Sequence, residues 1–210
     1  SLSIFGSSSA DPFRIENARY STNNLNTVAY TNKTNLIVNG SADDHAIVDG
    51  TVGIESSVTF SNVRISAENG GKIQARSLEL INTGDVGTAS NRLNAAVNEL
   101  SLSATNGAVF LEEQDGLVLK NFNVSTTNMV DLKVGGNLST FSPLAYTGSL
   151  NLESSRGNIE LGNNNILSGL LNLKANGNVS LGNSQTLSIG DLTAQSANLS
   201  SGASIKGNGV

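Results

Sequence analysis

Leu150-Asn151-Leu152, Gly157-Asn158-Ile159-Glu160-Leu161 and Leu167 are followed by Leu171-Asn172-Leu173, Gly177-Asn178-Val179-Ser180-Leu181 and Leu187. The first element recurs after 21 residues and the others after 20, so this stretch is an internal repeat, and such a repeat decides the architecture before any motif does. An earlier copy reads Leu100-Ser101-Leu102, Gly107-Ala108-Val109-Phe110-Leu111 and Leu117-Val118-Leu119, with the same step from Leu111 to Leu117 as from Leu161 to Leu167. Each copy holds short apolar-x-apolar triplets, up to three of them, and their period of two is that of a strand whose alternate side chains face a core. Gly, Asn, Ser and Asp punctuate the gaps.

A strand of three to five residues is not stable alone, so its partners are the equivalent triplets of neighbouring copies. Stacked in register, each unit of about 20 residues becomes one coil of a parallel β-solenoid with three short strands, and adjacent coils lie about 4.8 Å apart. Roughly ten coils make a rod about 45–50 Å long. Leu152 is expected to stack on Leu173, Ile159 on Val179 and Leu161 on Leu181, each burial gaining about 1.5–3 kcal/mol. Asn163 and Asn183 are expected to form an amide ladder at a corner. Gly107, Gly157 and Gly177 precede the second triplet, where they are expected to supply φ > 0.

Away from these copies the metre loosens. Leu36-Ile37-Val38, Val58-Thr59-Phe60, Val63-Arg64-Ile65, Leu78-Glu79-Leu80, Phe122-Asn123-Val124 and Val130-Asp131-Leu132-Lys133-Val134 still read as strands. Residues 36–210 are therefore assigned to the solenoid, with a loop insertion near 82–97 and one short helical turn around Arg92 to Ala96. Phe141-Ser142-Pro143-Leu144 is expected to be a protruding loop or an enlarged coil. Residues 1–35 are an irregular N-terminal segment or the start of the solenoid, with Asp11-Pro12 as a turn.

Composition agrees. Hydrophobic residues are 38% and aromatic ones 4%, with no Trp, so Leu, Val, Ile and Ala build a narrow interior. Charged residues are 14%, which leaves the surface to Ser, Thr, Asn and Gly. A net charge of −5 without a basic stripe argues against nucleic acid, whose phosphates need Lys and Arg. Without Cys there is neither a disulfide framework nor a thiolate metal site. No stretch approaches the roughly 18 apolar residues of a membrane span, and no signal-peptide pattern opens the chain. Beginning on Ser1 with repeat-like sequence still running at Lys206 to Val210, it reads as an internal piece of a longer protein.

Thr83-Gly84-Asp85-Val86-Gly87-Thr88-Ala89-Ser90-Asn91-Arg92-Leu93, Asn106-Gly107-Ala108-Val109-Phe110-Leu111 and Gly135-Gly136-Asn137-Leu138 resemble recurrent elements of the large bacterial exoproteins of the filamentous-haemagglutinin type. Val38 to Gly50, with Val58 to Val63 after it, is similar to degenerate repeats of giant adhesins. The resemblance covers roughly residues 36–208. It implies an all-β, right-handed parallel β-helix, exported by the two-partner route through an outer-membrane transporter. The secretion domain that begins such proteins has no counterpart here.

Chemistry is sparse. His45, the only histidine, lies near Asp43, Asp44 and Asp49, which is the composition of a small metal or acid–base site and equally of a surface turn. Glu112, Glu113 and Asp115 could hold a glycosidase pair across a cleft, but Asp115-Gly116 is a turn dipeptide and a solvated corner is the expectation. Tandem Gly/Asp nonapeptides for calcium are absent, and so is a Gly-x-Ser-x-Gly elbow. Asn32-Lys33-Thr34, Asn123-Val124-Ser125 and Asn178-Val179-Ser180 are glycan-acceptor triplets.

No catalytic, cofactor-binding or metal residue is assigned, no cofactor is expected, and the chain is read as not an enzyme. The expected role is a structural and adhesive stalk of an extracellular or cell-surface protein. Its partners would be host-cell or matrix glycans and proteins, or sister fibres. A polysaccharide-binding or polysaccharide-degrading β-helix and a self-assembling fibre subunit are the alternatives.

Overall fold

The structure is a computed structural model that describes residues 2–5, 12–16, 19–22, 26–29, 33–41, 43–124 and 128–207. Every regular element among them is a strand. The turn at Asp11 lies outside the described residues, and Pro12 opens a strand.

Two sheets share the chain. Sheet A runs through Leu2–Phe5, Asn35–Asn39, Ser57–Ser61, Ser77–Ile81, Glu99–Thr105, Leu117–Val124, Leu138–Thr140, Ile159–Glu160, Asn178–Asn183 and Ser196–Ser201. Sheet B runs through Pro12–Glu16, His45–Gly53, Arg64–Gln74, Leu93–Ala96, Val109–Glu113, Val130–Val134, Leu150–Ser154, Leu170–Ala175, Leu187–Thr193 and Ile205–Gly207. Along both series each strand pairs in parallel with the next, so the chain alternates between sheets and climbs one rung per circuit. The result is a β-solenoid of about eight turns at a spacing near 20 residues.

Arg19–Thr22 and Asn26–Ala29 do not wind on. They run antiparallel beside Pro12–Glu16, as a meander at the end of sheet B. Residues used this way add no height, which is one reason the turns number fewer than chain length divided by repeat length.

The three runs per coil are joined into two hydrogen-bonded sheets, one of which bends. In the first coils the bend is in sheet B, where register shifts between Asp49 and Thr51 and Gly50 adopts φ 64°. The next rung turns at Asn69 and Gly70, with φ 49° and 73°. Farther along, the bend moves to sheet A, where register shifts around Ser101 and Thr105. There Leu117–Val124 pairs with two separate strands, Leu138–Thr140 and Ala145–Tyr146.

The interior is one continuous apolar column, and alternation is strict where strands are straight, as in Asn35–Asn39 and Val130–Val134. Leu152 pairs in register with Leu173 and Ile159 with Val179, as the repeat predicts. Leu161 N donates to Ser180 O at 3.0 Å, which brings it level with Leu181, and both side chains are buried.

Two expectations need correction. Leu93–Ala96 is a strand, because its rung is completed by pairing with Arg64–Gln74 on one side and Val109–Glu113 on the other. Gly107, Gly157 and Gly177 are not among the positive-φ residues. Their need is for space: a Cβ on Gly157 would lie 2.7 Å from Asn137 N, and one on Gly107 would collide with Asp85 N. Phe141 does protrude, 76% exposed, while Leu144 returns to the interior.

Candidate functional site

The residues around His45 do not converge. Alternation in His45–Gly53 and the turn before it sends Asp44 inward, where it is fully buried and its Oδ2 accepts from Ser41 N at 2.6 Å. His45 faces outward with Nε2 2.8 Å from Ser66 Oγ, and burial, then Arg64, pushes its pKa down. Asp49 is four residues along the same strand, held by Asn69 Nδ2 at 2.8 Å and by Arg14, and these partners, Asn69 first, lower its pKa. Among the described residues no three His, Cys, Asp or Glu side chains come together as a metal cluster.

Glu112 and Glu113 are neighbours on one strand and so point to opposite faces. The expected solvated corner describes Asp115 but not Glu113, which is 2% exposed. Glu113 accepts from Val97 N at 3.2 Å and Asp115 N at 2.7 Å, and burial pushes its pKa up to about 6. It ties two coils together, and it shares a shallow depression of about 400 Å³ with Glu55 and Asp115.

Asparagine is used in two ways. On the outside, amides stack rung on rung: Asn82 Nδ2 donates to Asn62 Oδ1 and Asn106 Nδ2 to Asn82 Oδ1, both at 2.6 Å. Both Asn62 and Asn82 take the left-handed φ that asparagine tolerates. Inside, the amide ladder expected of Asn163 and Asn183 does not form: Asn163 is exposed, and Asn165 takes its place in a backbone bridge with Asn183, both of them buried. Their amides do not bond each other: Asn165 Oδ1 accepts from Leu144 N at 2.7 Å and Asn183 Oδ1 from Leu167 N at 2.8 Å. Of the acceptor triplets, Asn32 lies outside the described residues, and Asn123 and Asn178 are exposed.

The most extended surface feature is on sheet B. Register places Thr51, Lys72, Asn94, Glu112, Lys133, Glu153, Lys174 and Thr193 in one outward column along the solenoid. From Glu112 to Lys174 the sign alternates at every rung. Glu153 lies 2.7 Å from Lys174 Nζ and 3.9 Å from Lys133 Nζ. Shallow depressions of about 310, 370 and 420 Å³ follow the same column. Beside it runs a second column, Phe110, Asp131, Asn151 and Asn172, in which Asn172 Nδ2 donates to Asn151 Oδ1 at 2.7 Å. Arg92 lies over the Phe110 ring, 5.7 Å from its centre, and reaches Asp131 at 2.8 Å.

Sequence reasoning missed this column, because successive members are 18 to 22 residues apart. Glu112, Lys133, Glu153 and Lys174 keep the metre of 20 to 21 residues, and their spacing was the available signal.

Fold and surface together define a parallel β-solenoid repeat protein whose outward side chains are paired from rung to rung. No protein-family model matches the chain, and no curated protein or solved structure matches it.

Proposed function

We propose that this chain is a non-catalytic structural and adhesive segment of a large secreted or cell-surface bacterial protein of the filamentous-haemagglutinin type, acting as a rigid stalk that displays binding surfaces outside the cell. The observation that carries this reading is the uninterrupted stack of parallel rungs, braced on its surface by amide columns and the Lys133–Glu153–Lys174 ladder. Pairing between successive rungs resists bending and unwinding, which is what a spacer requires. The resemblance supports its extracellular setting.

The test is to immobilise the purified chain and measure retention of bacterial and host cells and of matrix glycans, with release of reducing sugar ends assayed in parallel. Retention without sugar cleavage is the expected result. Cleavage would instead make the chain a polysaccharide-degrading β-helix. That alternative has two depressions in its favour, one of about 420 Å³ beside Asn151 and Asn172 and one of about 400 Å³ beside Glu55, Glu113 and Asp115, but no aromatic ring lines either to stack a sugar.

A further inference from the structure

We infer that the outward face of sheet B is a docking surface for a second copy of this chain, laid antiparallel against the first. The carrying observation is the order of charge along one column: Glu112, Lys133, Glu153, Lys174. Reversed, this order is its own complement. A two-fold axis along the strand direction, passing between the Lys133 and Glu153 rungs, sets Glu112 against Lys174 of the second copy and Lys133 against its Glu153, and repeats both pairs by symmetry. Four opposite-charge contacts form, with no like charges facing within this run.

The flanking positions agree with the same axis. Asp131 meets Asn151 of the second copy, and Gly135 meets its Ser155, so no charge is left opposite its like. A parallel mate in register would face Glu with Glu and Lys with Lys. Slipping it by one rung restores only three contacts and leaves a heterologous contact that does not close.

Complementarity of this kind selects the partner more than it strengthens the complex. Alternation at the height of a coil, about 4.8 Å per rung, is matched by an object built on the same rise, which another copy is. The lysines remain reachable, with Lys133 44% and Lys174 67% exposed. Six overlapping rungs, each five residues wide, bury roughly 1,000 Å² in all, near the lower bound for a specific interface, so the pairing is weak and salt-sensitive. The inference is independent of the adhesive reading, and its failure leaves that reading untouched.

The experiment combines sedimentation with zero-length carbodiimide cross-linking of an equal mixture of isotope-labelled and unlabelled chain at low ionic strength. The expected results are a concentration-dependent dimer that salt dissolves and a mixed-label link between Glu112 and Lys174. These residues are three rungs apart in one chain, about 14 Å, beyond direct bonding. E112K/E153K and K133E/K174E should each weaken self-association by about tenfold or more, and mixing the two variants should restore a dimer. A chain that stays monomeric at low salt, or a dimer that lacks the mixed link and is unmoved by both variants, overturns the inference.

Discussion

Asn165 and Asn183 spend their hydrogen-bonding capacity inside the tube, on backbone groups at a corner. Asn165 Nδ2 donates to Leu161 O and Gly182 O while its Oδ1 accepts from Leu144 N. Leu161 O keeps Thr140 Oγ1 and Gly182 O keeps Asn165 N, so Asn165→Leu strands Leu144 N and should cost about 1–3 kcal/mol, read from urea unfolding, whereas Asn163→Leu at an exposed position should cost under about 0.5 kcal/mol. Equal costs would show that the Asn165 amide is not what holds this corner. Glu113 sets a pH dependence. Its folded pKa of about 6 lies above the usual carboxylate value of 4.5, so the folded state holds its proton more tightly than the unfolded state does. Its contribution is fully present below about pH 4.5, is lost as pH rises to about 6, and stays lost above that, amounting to about 2 kcal/mol. Stability measured by urea between those limits should fall with rising pH in the parent chain and change less in Glu113→Gln.

At the scale of elements, the segment between Ser77–Ile81 and Leu93–Ala96 shows how an irregular stretch is kept on the stack. Val86 alone bridges to Ile65 and Val109, while Asn91 Nδ2 donates to Ala67 O at 2.7 Å. Arg92 closes the segment down across Phe110 onto Asp131, two strands away in sheet B, and only 10% of its side chain is exposed. A half-enclosed ion pair over a ring is worth more than a surface pair. Arg92→Ala should cost about 2 kcal/mol and speed amide exchange in residues 86–92 without disturbing Leu150–Ser154. If exchange there is unchanged, the guanidinium is not what holds the segment. The same pairing explains why a helical turn does not form at Arg92 to Ala96: a rung flanked by two strands gains a row of backbone bonds on each side.

At the scale of the whole molecule, contacts are made between neighbouring coils, and stability is a sum of coils and the interfaces between them. The middle rungs, Val109–Glu113, Val130–Val134 and Leu150–Ser154, are paired on both sides. Ser196–Ser201 and Ile205–Gly207 are paired on one, and Ile205, at a position that is inward in lower coils, is 49% exposed. Amide exchange should therefore be graded, at least about tenfold slower in the middle rungs than in these two strands. Uniform protection along the chain would show one all-or-none unit instead.

Alternation of apolar residues and a repeat near 20 residues were enough to determine short strands, parallel stacking and a continuous apolar interior. They sufficed because each triplet can bury its face only against its own copies. Leu152 over Leu173 was legible for this reason. Which of Asn163, Asn164 and Asn165 turns inward was not legible, since one residue of bulge reverses every later side chain. Nor was the burial of Glu113, the role of Gly157 as a point of close approach, or the alternating column from Glu112 to Lys174. Coils of 18 to 22 residues hide such neighbours from the chain's own numbering. Only the register between rungs, set by where each corner takes up its extra residues, brings them side by side.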